Sequence, residues 1–167
     1  MRETGLKDVF RAILGTLVAV SVYALAGAGA PALLVVFNAF SVVVLYFSLR
    51  RGEVFGALLG TMCGLAQDAF SLGVFGVAGL TKTLLGFWTG YISHRVDVVP
   101  FVRNALFLLV MALLEIILWL GLTSLVSVRS IDLRGGLVFL QPFVTAILGS
   151  LLVALERRAR SRSGRGA

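Results

Sequence analysis

Apolar residues along this chain gather into six long runs, at about 9–28, 31–49, 53–71, 74–92, 100–126 and 136–155, parted by short glycine-rich or basic breaks. About 20 residues of helix suffice to cross the hydrocarbon core of a bilayer, so the pattern predicts an all-α polytopic membrane protein with six transmembrane helices. Gly27, Gly29 and Pro31 mark a turn after the first run, and "LRRGE" marks one after the second. The six helices form a single domain over residues 1–155, and 156–167 read as a basic, disordered tail.

Two of the runs carry a pattern of their own. Gly56, Gly60, Gly64 and Asp68 recur every four residues and therefore share one face of the third helix, where the glycines make two overlapping GxxxG patterns. Gly79, Lys82, Gly86 and Gly90, three or four apart, share a face of the fourth. Such stripes let another backbone approach closely. A single GxxxG reports packing alone, but here each of two consecutive stripes is aligned with a charge.

An ionised group in hydrocarbon costs about 2.5 to 3.5 kcal/mol on insertion scales, so such residues face the bundle interior and pair. With the turn between the third and fourth helices centred on Phe75, Asp68 and Lys82 lie at equal depth and are expected to form an ion pair. Glu115 in the fifth run falls roughly one turn further out. Two carboxylates then compete for one ammonium, leaving Glu115 to neighbouring hydroxyls, a partner or a wet cavity. Gln141, before Pro142, reads as a hydrogen-bonding side chain at a kink in the sixth helix.

Composition agrees with the runs: 59% of the 167 residues are hydrophobic and only 14% charged, with a mean hydropathy of +1.00. The net charge of +7 would suggest nucleic acid for a soluble protein, but its placement matters more. Arg2, Lys7, Arg11, Arg50, Arg51, Arg95, Arg103, Arg157, Arg158, Arg160, Arg162 and Arg165 fall on one side of the alternating runs, against Arg129 and Arg134 on the other. By the positive-inside rule both termini are cytoplasmic. Arg50, Arg51, Arg157, Arg158 and Arg160 are then placed to meet an anionic membrane surface, each contributing about 1 kcal/mol there. A second reading of the first run, with its basic start and small-residue segment "ALAGAGAPA", is a cleavable signal peptide.

Catalytic constellations are hard to assemble from these residues. His94 stands beside Arg95 without spaced metal-binding partners, Cys63 is the single cysteine, and no phosphate-binding loop is present. No enzyme, metal site, cofactor or nucleic-acid partner is expected.

The central segment "RRGEVFGALLGTMCGLAQDAFSLGVFGVAGLTKTLLGFWTGY" resembles the rod shape-determining protein MreD family. The resemblance rests on a basic turn at Arg50 and Arg51, the glycines at 56, 60 and 64, Leu65, Asp68 and Ser71, then Gly76, Leu80, Lys82, Leu85, Gly86 and Tyr91. It implies a bundle like that of the S-components, the substrate subunits of energy-coupling-factor transporters. It also implies a non-enzymatic scaffold in the bacterial inner membrane, bound to the single-span protein MreC and working with MreB, RodA and a transpeptidase in peptidoglycan synthesis. On this reading Asp68 and Lys82 latch the third and fourth helices and Glu115 orients the fifth. The rival expectation is the substrate-binding subunit of a vitamin-type transporter, with the same three charges lining a pocket.

Overall fold

The computed structural model describes residues 2–29, 34, 36–71, 75–95, 101–126, 136 and 139–163. Pro31, Asp97, Arg129, Arg134 and Arg165 lie outside the described residues, as do the side chains of Arg2, Lys7, Arg157, Arg160 and Arg162. Six helices run through the described part: α1 (Arg2–Gly29), α2 (Ala39–Arg51), α3 (Glu53–Phe70), α4 (Val77–Ser93), α5 (Phe101–Val126) and α6 (Gln141–Ser163).

Local chemistry explains where several of them begin and end. Asn38 accepts the Ser41 backbone N–H at 3.3 Å and caps α2, so the second apolar run is broken at Phe37 and Asn38 rather than forming one helix over 31–49. Gly52 ends α2 at a φ of 85° and Gly76 opens α4 at 97°, backbone that a side chain rarely tolerates. Pro142 sits in the first turn of α6, where its missing N–H costs nothing, so the expected kink at Gln141 is a helix start. At the other end α6 continues through Ser163, and the segment expected to be disordered from 156 is helical that far.

The helices pack as two groups that share α2. One core joins α1, α2 and α3 through Ala12, Ala19, Phe40, Val44, Leu59 and Cys63. The other joins α2, α4, α5 and α6 around Leu45, Leu85, Leu108, Met111 and Ala146. The antiparallel α3/α4 hairpin is the tightest pair and lies against α2.

Polarity is arranged inside out. Phe10, Leu25, Leu58, Met62, Ile117 and Ile147 face outward, whereas Ser41, Asp68, Lys82, Thr89, Asn104 and Glu115 are buried. A soluble domain keeps most of its ionisable residues outside, so the arrangement fits association with a membrane. By length and apolarity, the stretches Asp8–Gly29 and Phe101–Val126 can cross a membrane. Six helices are present among the described residues, as expected, but only these two stretches are long and apolar enough to cross: α2 has 13 residues, α4 has 17, and the apolar part of α6 is the shorter Gln141–Glu156.

Candidate functional site

The centre of the molecule is built on the α3/α4 hairpin, whose axes approach closely because glycines face the opposite backbone. A Cβ at Gly60 would stand 2.6 Å from the Lys82 carbonyl carbon, and one at Gly64 would stand 2.6 Å from the Cα of Gly79. Gly56 and Gly86 occupy each other's place in the same way, and a Cβ at Gly90 would meet the Gly52 oxygen at 2.6 Å. No side chain fits at these positions. A hydrogen bond of 2.8 Å between the hydroxyls of Thr61 and Thr83 crosses the same seam.

At the far end of this seam sits Asp68, which does not pair with Lys82 as expected. Its Oδ2 accepts the backbone N–H groups of Gly76 and Gly79, both at 2.9 Å, and its Oδ1 accepts that of Ala78 at 3.2 Å. These are donors that the first turn of α4 leaves without intrahelical partners, and the positive end of the helix dipole favours the carboxylate. Asp68 therefore caps α4 from the end of α3. Asp68 and Lys82 are not level because α4 starts at Val77, which brings its free N–H groups to Asp68 and leaves Lys82 more than a turn deeper.

Lys82 instead forms an ion pair with Glu115 of α5. Its Nζ also donates to the Ser41 hydroxyl of α2 at 2.7 Å, and Ser41 in turn donates to Glu115 Oε1 at 2.6 Å. Lys82 is 1% exposed and Glu115 5%, so the pair is isolated from solvent and lipid. Three helices, α2, α4 and α5, are tied at one point. Each partner also lowers the cost of burying the others, because a buried charge is tolerated only when paired and hydrogen-bonded.

The sequence pointed to Asp68 and Lys82 as interior and left Glu115 to hydroxyls, a partner or a cavity; Ser41 and Asn38 were missed. Asn38 also donates to Gln67 of α3 at 3.2 Å, so one residue caps α2 and links it to α3. An Asn at the head of an apolar run is a capping signal, present in "FNAFSVVV".

Of the basic residues, Arg50 and Arg51 are bound within the protein. Arg50 pairs with Glu156 of α6 and lies 5.0 Å over the Tyr46 ring, and Tyr46 donates to the same carboxylate. Arg51 pairs with Asp8 of α1. These contacts fasten α1 and α6 to the turn between α2 and α3. Arg158 is exposed. His94 lies 4.0 Å from Glu53 at the surface.

Chemically, the centre can hold helices in register. Among the described residues no three metal-binding side chains cluster, and the ammonium, the hydroxyl and one carboxylate oxygen are engaged with one another. Comparison with protein-family models, curated proteins and solved structures finds no match.

Proposed function

We propose that the chain is a non-enzymatic scaffold of the MreD type in the bacterial inner membrane, crossing it six times with both termini cytoplasmic in an S-component-like bundle. It would bind an MreC-like single-span protein and help to organise the MreB, RodA and transpeptidase assembly. One observation carries this reading. The glycines and charges that make up the quoted resemblance are used to join helices: Asp68 on backbone N–H groups, Lys82 on Glu115 and Ser41, and Gly56, Gly60, Gly64 and Gly86 on close backbone contact. Residues kept for bracing are what a scaffold requires. A solute binder would leave some of them free to meet its ligand.

The test is affinity purification of the tagged protein from its host in mild detergent, with mass spectrometry of what accompanies it. The expected companions are an MreC-like protein and cell-wall synthases. Recovery of an ATPase pair with a coupling subunit, or of a bound metabolite, would establish the transporter reading instead.

A further inference from the structure

A crevice of about 170 Å³ opens between α5 and α6, lined by Phe101, Asn104, Ser150, Val153 and Ala154. The two helices run antiparallel, so Phe101, Val153 and Ala154 sit near the start of α5, and Asn104 with Ser150 about one turn further in. Exposure falls in the same order, from 54% at Phe101 to 3% at Asn104 and 1% at Ser150. The rim and walls are therefore apolar and the floor is polar. Leu108, buried beyond them, would stand 3.0 Å from a Cβ on Gly149 and closes the space.

The floor carries unused hydrogen-bonding capacity. Asn104 Nδ2 donates to the Ser150 hydroxyl at 3.5 Å, the limit of length, and among the described residues neither side chain makes another hydrogen bond. An amide offers two donors and two acceptor lone pairs, and a hydroxyl one donor and two lone pairs, so a group reaching the floor meets both a donor and an acceptor. Among the described residues no charged side chain lines the crevice. An ion there would lack a counter-charge, and a plain hydrocarbon would leave the amide and hydroxyl unsatisfied. What fits is a neutral ring with one hydrogen-bonding group at its tip, since a cavity of about 150 Å³ holds one benzene. We propose that the crevice is a socket for one tyrosine side chain of a partner's membrane helix, with the ring between Phe101, Val153 and Ala154 and the hydroxyl on Asn104 and Ser150. A membrane helix presents such a side chain at this depth, because tyrosines concentrate at the ends of spans and the crevice lies at the start of α5, which is long and apolar enough to cross. The inference rests on the scaffold reading above and names the contact by which a single-span partner is held.

The test uses p-cresol, the tyrosine side chain as a free molecule, against toluene, the same ring without the hydroxyl. Thermal unfolding of the detergent-purified chain is followed as each is titrated. p-Cresol should stabilise saturably and bind about tenfold more tightly than toluene, the scale of satisfying two buried polar groups. Both molecules also enter micelles, so the comparison is with variants in the same detergent. Ala154→Phe fills the crevice and should abolish the saturable shift, whereas Leu152→Phe, which adds the same ring at an exposed position of α6, should leave it. Where Ala154→Phe does not fold, Ser150→Ala replaces it and should lower the preference for p-cresol about threefold. Equal affinity of the wild type for the two molecules, or a preference kept by the crevice variants, overturns the proposal. The same variants, tagged and purified from the host, test the occupant: a single-span companion should come with the wild type and with Leu152→Phe, be lost with Ala154→Phe and be depleted with Ser150→Ala. A companion kept in full by the crevice variants overturns the socket and leaves the scaffold reading standing. A wild type that selects p-cresol but brings no single-span companion fails the scaffold reading, and the tyrosine with it.

Discussion

At the residue scale, the protein turns on two solutions to one problem, a charge in an apolar interior. Asp68 is satisfied by backbone and Lys82 by Glu115 and Ser41. The two respond differently to substitution. Lys82→Met leaves Glu115 buried without its counter-charge and should cost about 3 to 5 kcal/mol, whereas Lys82→Met with Glu115→Met removes both charges and should recover most of that loss. Thermal unfolding in detergent measures both, and equal losses for the single and double variants would refute the pairing. Asp68→Asn keeps the shape but loses charge-assisted bonds to α4, at about 1.5 to 3 kcal/mol. A double-mutant cycle of Asp68→Asn with Lys82→Met should show far weaker coupling than that of Lys82 with Glu115.

At the element scale, the hairpin of α3 and α4 sets the geometry that everything else uses. Gly60→Ala would push a methyl group into the Lys82 carbonyl, where backbone on both sides prevents relief. The hairpin must then open, and loss of the folded protein in size-exclusion chromatography is expected. Gly121→Ala, on α5, meets nothing within 4 Å. It should be neutral or stabilise by roughly 0.5 to 1 kcal/mol, the ordinary gain in a helix interior. The same glycine type thus has opposite consequences on two helices. The glycine spacing on α3 and α4 was readable as two close faces, since a four-residue repeat fixes a face in any helix. That the two faces meet each other, with Gly56 on Gly86 and Gly64 on Gly79, required the hairpin.

At the scale of the whole molecule, the outward apolar belt and the buried polar centre predict an integral membrane protein. Alkaline carbonate should leave the chain in the membrane pellet, and its release would overturn that assignment. The ends of α1 and α6 are held by Asp8 with Arg51 and by Glu156 with Arg50 and Tyr46. The Glu156 contact is partly exposed, so Glu156→Gln should cost no more than about 1 kcal/mol, and less at high salt. Unfolding in detergent with and without added salt distinguishes this peripheral tie from the buried pair, which salt should hardly touch.

The sequence by itself determined that the chain is helical and which faces of α3 and α4 carry the glycines, because hydropathy and glycine spacing act over one or two turns and leave their mark on neighbouring positions. The edges of α3 and α5 followed directly from the apolar runs. It also determined that Asp68 and Lys82 would be interior, since a charge within a long apolar run has few other places to be satisfied, and left Glu115 between hydroxyls, a partner and a cavity. Only the tertiary structure decided which partner each one takes. Ser41 and Glu115 are 74 residues apart in the chain. Their meeting with Lys82 depends on where α4 starts and how α2 leans on it, and no local pattern encodes a distance between helices.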